Sequence, residues 1–189
     1  MPTPMMTVLI IIGSLITLTV IYIIIAYNTF VTLRNKVEDQ WSQIDVELKR
    51  RFDLIPNLVN VVKGYAKHEK NTFESVVKAR NTYLGASSNT EKIEASNELS
   101  NVMNKLFALA ESYPELKANE NFKELQIELK NTEDKIGFAR KFYNDVVLKF
   151  NNKISTFPNN LIAKFFGFKK YDYFKASETE RENLKVDFN

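Results

Sequence analysis

YNTFVTLRNKVEDQWSQIDVELKRRFDLIPNLVNVVKGYAKHE, residues 27–69, carries the pattern that decides the fold. Phe30, Leu33, Val37, Trp41, Ile44, Leu48, Phe52, Ile55, Val59 and Val62 recur at steps of 3 or 4. Charged and amide residues fill the other faces. Successive 3-4-4 steps give an eleven-residue repeat through Phe30, Trp41 and Phe52, about 3.67 residues per turn, which suits a nearly straight helix. Within this stretch no proline precedes Pro56, which predicts a bend rather than an end because apolar spacing resumes at Val59. At ~1.5 Å per residue, Asn28 to Glu69 predicts a helical rod of ~60 Å.

On the N-terminal side, Val8 to Tyr27 (VLIIIGSLITLTVIYIIIAY) has no charged residue. It has about the 20-residue length that crosses a ~30 Å hydrocarbon core. It lacks a basic leader and a small-x-small site at its end, so it reads as a retained transmembrane anchor rather than a cleaved signal. Lys and Arg are absent before it, whereas Arg34 and Lys36 follow and Lys49 to Arg51 lie further on. The positive-inside rule then predicts a single pass, with the N-terminus outside and the rest in the cytoplasm.

On the C-terminal side, Phe73 to Leu84 predicts a short second helix, capped by Asn71 or Thr72 and closed by Gly85. The alternative is a first helix unbroken to Leu84. Ala86 to Asn89 is a loop, and Thr90 is expected to cap a third helix through Ile93, Leu99, Val102, Met103, Leu106, Leu109 and Tyr113. Ser112-Tyr113-Pro114 ends it. A fourth helix from Glu120 to Ser155 alternates steps of 3 and 4 through Phe122, Leu125, Leu129, Thr132, Ile136, Ala139, Tyr143, Val146 and Phe150, a heptad seam of coiled-coil type. Phe157-Pro158 stops it. An aromatic and basic stretch follows, then a polar tail with one short strand expected at Leu184 to Phe188.

The expected fold is all-α: a transmembrane helix continuing into an antiparallel up-and-down bundle of four helices, the first and last long. The linear division is 1–27 for the flank and span, 28–157 for the bundle, and 158–189 for the aromatic segment and tail.

Composition excludes several functions. The chain has no Cys, a single histidine at His68, and five scattered glycines. Disulfides, a zinc site, a Cys nucleophile and a phosphate-cradling loop are therefore not expected. A net charge of +3 without a long basic run gives no footprint for nucleic acid. No catalytic, cofactor or metal residues are assigned. Asp45 with Lys49 and Glu47 with Arg51 are i,i+4 pairs, read as solvated-face pairs. Asp45, Asp53 and Arg140 are candidates for an interhelical polar cluster, read as structural or partner-facing. Trp41 lies ~20 Å beyond the span, too far for the interfacial belt.

The stretch at 27–69 and the following FESVVKAR resemble the LemA family of bacterial membrane proteins. So do YPELKANENFKELQIELKNTEDKIGFARKFYNDVV and FPNNLIAKFFGF. The resemblance runs over nearly everything after the span. It implies one N-terminal anchor and an antiparallel helical bundle, and it brings no reaction with it.

Two surfaces follow from the geometry expected of such a bundle. The short second and third helices reach only the membrane-distal half of the first. Phe30, Leu33, Val37, Trp41 and Ile44 are therefore expected to stay partly wet and to form an oligomer or partner interface. Gly13, Ser14, Thr17 and Thr19 permit helix contact within lipid. Leu161, Phe165, Phe166 and Phe168, with Lys169 and Lys170, are candidates for contact with the membrane surface. The function expected is a non-catalytic membrane scaffold that forms a higher-order homo-oligomer or holds a membrane protein partner. The alternative is an accessory subunit of a membrane enzyme, or an enzyme acting at the membrane.

Overall fold

The structure is a computed structural model, and it describes residues 4–67 and 69–175. Among them every regular element is helical: α1 (Pro4–Tyr65), α2 (Lys70–Gly85), α3 (Asn89–Ala110), α4 (Pro114–Ala118), α5 (Glu120–Ser155) and α6 (Asn159–Phe165). His68 and the strand expected at Leu184 to Phe188 lie outside the described residues. The four expected helices are all present, joined by the short α4 and α6.

α1 runs from the span through the amphipathic stretch without a break, with Pro56 inside it. The eleven-residue repeat lands as its period requires: Phe30, Trp41 and Phe52 are all buried. α1 stops at Tyr65, so the first two helices are separate elements. α2 starts earlier than expected, and neither Asn71 nor Thr72 caps it. Glu69 holds the cap position with no side-chain hydrogen bond.

α3 begins at a capping box. Ser88 Oγ accepts from the Glu91 N–H at 3.2 Å, and the Glu91 carboxylate accepts from the Ser88 N–H at 3.3 Å. Sequence spacing points to Thr90 as the cap. Ser88 takes the role because its partner Glu91 lies three residues on, which is the geometry the box needs.

The chain packs as two compact units. The first comprises 4–41 and 142–172. Its core is Phe30, Val37, Trp41, Tyr143, Val147, Phe150 and Ile154. The seam follows Val147 rather than the expected Val146, which is only half-buried. The second unit takes in 42–141, apart from His68, and 173–175. There α1 meets α2, α3 and α5 around Leu48, Phe52, Leu58, Leu99, Leu106 and Ile136, all essentially inaccessible. Phe52 stacks on Tyr83 with centroids 3.8 Å apart.

α6 ends in a Schellman motif. The Phe168 N–H donates to the Ala163 carbonyl at 2.9 Å and the Gly167 N–H to Lys164 at 3.3 Å. Gly167 sits at φ 75°, the left-handed conformation that closes this motif and that glycine adopts without steric cost. The turn sends residues 168–172 back along α1 and α5 of the first unit. This strap has no regular secondary structure and is held by side chains.

Candidate functional site

Three places bring polar or aromatic groups together. The first lies beside the C-terminal third of the span. α6 packs there: Tyr22 Oη donates to Asn159 Oδ1 at 2.8 Å, and Tyr27 meets the Phe166 ring at 4.9 Å and the Phe168 ring at 5.8 Å. A groove of about 420 Å³ between α6 and the span is lined by Leu18, Thr19, Tyr22 and Ile23 facing Pro158, Leu161 and Ile162. Away from this contact Phe165 is 83% exposed and Leu161 61%, with Lys169 and Lys170 exposed beyond them. The six residues expected at a membrane surface are thus grouped at one end of the span. Phe168 differs from the rest in turning inward to Phe30 at 5.3 Å and Phe150 at 6.4 Å.

The same inward turn corrects the expected interface. Phe30, Val37, Trp41 and Ile44 are buried within the chain, and Leu33 is half-buried. The expectation rested on an open layer of two helices. In the first unit the strap covers that layer. Tyr171 packs on Phe150 at 5.3 Å and donates from Oη to Glu38 at 3.3 Å, while Trp41 is met edge-on by Tyr143 at 5.7 Å. This stripe is core, not a free surface. Periodicity misses the strap because residues 167–172 have none.

The second place is Arg51, 5% exposed although charged. Its Nη2 donates to Ser100 Oγ and pairs with Glu133 Oε2, both at 3.0 Å. The cleft beside it, of about 400 Å³, is lined by Met103, Phe107 and Leu129 with Gln126, Lys130 and Asp134. A guanidinium stays charged at any ordinary pH and cannot serve as a general base. Neither a thiol nor an imidazole lines the cleft. The arrangement ties α1 to α3 and α5, and it has no nucleophile–base pair.

The third place is Asp45, which receives Lys92 Nζ at 2.6 Å and Tyr83 Oη at 3.1 Å. Burial, then the Asp45 charge, pushes the Tyr83 phenol well above its usual value. Of the expected cluster of Asp45, Asp53 and Arg140, the two aspartates both bear on the Tyr83 phenol and push it up. Asp45 reaches across to α2 and α3, and the Arg140 guanidinium lies 5.2 Å over the Phe174 ring. A side chain reaching another helix locks more of the fold than one paired along its own, which spacing alone does not reveal. Among the described residues no group of three or more His, Cys, Asp or Glu is placed to hold a metal.

The LemA family model matches residues 40–188. The chain belongs to the LemA family. It aligns with Magnetosome protein MamQ 2 of Paramagnetospirillum magneticum at 25% identity over 179 residues, covering 81% of this chain and 66% of that relative. Protein LemA of Metamycoplasma hominis is 26% identical over 158 residues, covering 83% of this chain and 72% of the relative. Magnetosome protein MamQ of Magnetospirillum gryphiswaldense is 24% identical over 178 residues, covering 80% and 65%. The chain thus spans about two thirds of the length of these curated relatives. In this LemA-family chain the matched stretch takes in Arg51, Ser100 and Glu133 together, with α2 to α6, while the span lies before it.

Among the described residues of this LemA-family chain one helix is long and apolar enough to cross a membrane, and none of its most apolar stretch is buried by protein. Bare isoleucines and leucines from Leu9 to Ile25 require an apolar solvent, so the chain is placed at a membrane.

Proposed function

We propose that this protein is a non-catalytic membrane-anchored scaffold, which self-assembles or holds partner proteins at the bilayer with its second unit on the cytoplasmic side. The observation that carries the reading is the pairing of the span with α6. The span alone gives attachment. α6 and the turn before it add exposed Phe157, Leu161 and Phe165 at the same end, with Lys164, Lys169 and Lys170 exposed nearby. Aromatic and basic side chains together suit the headgroup region, where ring and ammonium each find their solvent. The polar groups of the second unit support the non-catalytic part, since Arg51, Asp45 and Arg50 are engaged in interhelical ion pairs. Arg34 and Lys36 following the span support the cytoplasmic orientation.

The test uses the full chain in lipid nanodiscs with single fluorescent labels at Phe165 and at Phe138, the latter an exposed residue of the second unit. Quenchers carried on lipid should dim the label at Phe165 and leave that at Phe138 bright. No quenching at Phe165 rejects the membrane contact. Native mass spectrometry of the solubilised protein examines the scaffold. A homo-oligomer or a co-purifying non-enzyme partner supports it, and a stoichiometric enzyme makes the chain an accessory subunit instead.

A further inference from the structure

The start of α2 lacks two features that favour a helix N-terminus. Its cap position has no side-chain hydrogen bond, and its first turn contains no acidic residue. It opens instead with Lys70, close to Lys63 and Lys67, although the N-terminal end of a helix dipole disfavours positive charge. Departures of this kind collect where a sequence serves something other than its own stability.

These lysines edge a groove of about 720 Å³ in the second unit. Phe73 is its floor, with Lys63 Nζ over the ring at 5.6 Å. Val77 is 45% exposed in it, and Lys78 lines it beside Val77. One carboxylate belongs to the lining: Glu74, 3.7 Å from Lys70 Nζ with both side chains largely in water, so four ammonium groups face one acid. The lining recurs along α2 at Lys70, Phe73, Val77 and Lys78 and on to Thr82, about three helical turns. That is an apolar stripe flanked by positive charge, the complement of one amphipathic helix.

We infer that this groove is the docking site for an acidic amphipathic helix of a partner protein. The inference rests on the scaffold reading above and names the chemistry of what is held. An apolar side chain of the partner covers Val77 above the buried Phe73, while Asp or Glu residues on either side of it meet Lys63, Lys67, Lys70 and Lys78. The uncapped amides of α2 add to the attraction for carboxylates.

The deciding experiment replaces Val77 by a photo-crosslinking amino acid in the full chain, expressed in its own cell membrane. The adduct is then identified by peptide mass spectrometry. The expected adduct is a peptide of another protein with two or more Asp or Glu within four residues of the linked position. Its yield should fall at least tenfold in the Lys67→Glu/Lys78→Glu variant, with an unchanged melting temperature. A lipid adduct, a peptide of this same chain, a neutral or basic peptide, a yield unaffected by charge reversal, or no adduct overturns the inference. A second crosslinking residue at Phe138 separates the two readings. Partner adducts there but not at Val77 leave the scaffold standing and remove only the groove.

Discussion

Asn151 grips the backbone of Tyr171 with both ends of its amide. Its Nδ2 donates to the Tyr171 carbonyl at 2.9 Å, and the Tyr171 N–H donates to its Oδ1 at 3.0 Å. A side chain of α5 thereby supplies what a neighbouring strand supplies in a sheet. Asn151 is 7% exposed, so neither backbone group has ready access to water in its place. Asn151→Leu should cost about 2–3 kcal/mol, the loss of two hydrogen bonds with buried groups left unpaired. Asn151→Asp, which turns a carboxylate oxygen toward the Tyr171 carbonyl in place of the Nδ2 donor, should cost at least as much. Urea unfolding in detergent measures both, and tryptic cleavage at Lys169 or Lys170 should quicken in the leucine variant.

The strap also makes stability sensitive to alkali. Tyr143 Oη donates to the Asp172 carbonyl at 3.1 Å. Burial, then the Tyr171 and Asp172 charges, raises this phenol to about 12. Tyr171 is raised too, by burial and then by Glu38. A folded value above the unfolded one, near 10, means that the stabilisation is whole below about pH 10 and is lost as pH climbs toward the folded value. Unfolding free energy should fall between about pH 10 and about pH 12, and fall less in Tyr143→Phe. Equal slopes in the two proteins would show that this phenol is not responsible.

At the start of α3, Ser88→Ala should cost about 1 kcal/mol, the worth of a cap whose hydroxyl satisfies an orphan amide. Hydrogen bonds from Ser87, led by its backbone N–H, and from Ser88 hold the Glu91 carboxyl below its ordinary range. A depressed folded value gives stability that is present above the unfolded carboxylate range and lost as pH falls through the folded one. Thermal melting should thus show a smaller loss of stability on acidification in Glu91→Gln than in the parent chain.

Arg51 makes an asymmetric prediction. Removing its partner by Glu133→Ala strands a charge that is 5% exposed. A fully buried pair broken this way costs ~3–5 kcal/mol, but the Glu133 side chain is 40% exposed and water can enter its place, so about 2 kcal/mol is expected. Arg51→Met fills the same space without a charge and should cost less than Glu133→Ala. Chemical denaturation of the two variants tests the order, which reverses if the arginine contributes mainly by packing.

What the sequence made legible was periodic. The apolar steps from Phe122 onward set α5, and it runs from Glu120 to Ser155 as those steps require. The buried Thr132 inside that seam was readable for the same reason. Residues 168–172 were not readable. Their aromatics follow no helical or strand period, and Phe168, Tyr171 and Asn151 find each other only once the chain has turned at Gly167. Missing them left Phe30 and Trp41 looking like an exposed stripe. Charge partners failed similarly, since Lys92 lies 47 residues from Asp45 and nothing local marks the pair.

The strap sets an order on biosynthesis. Tyr171 reaches Glu38 across 133 residues of chain, and Phe168 closes over Phe30 beside the end of the span. A ribosome making this protein delivers the span and its adjoining stripe long before it delivers the residues that cover the stripe. During that interval Phe30, Val37 and Trp41 stand open next to the bilayer, a surface for holding chaperones or for wrong association. Nascent chains stalled before Gly167 should therefore be captured by such chaperones, and chains released after residue 175 should escape them.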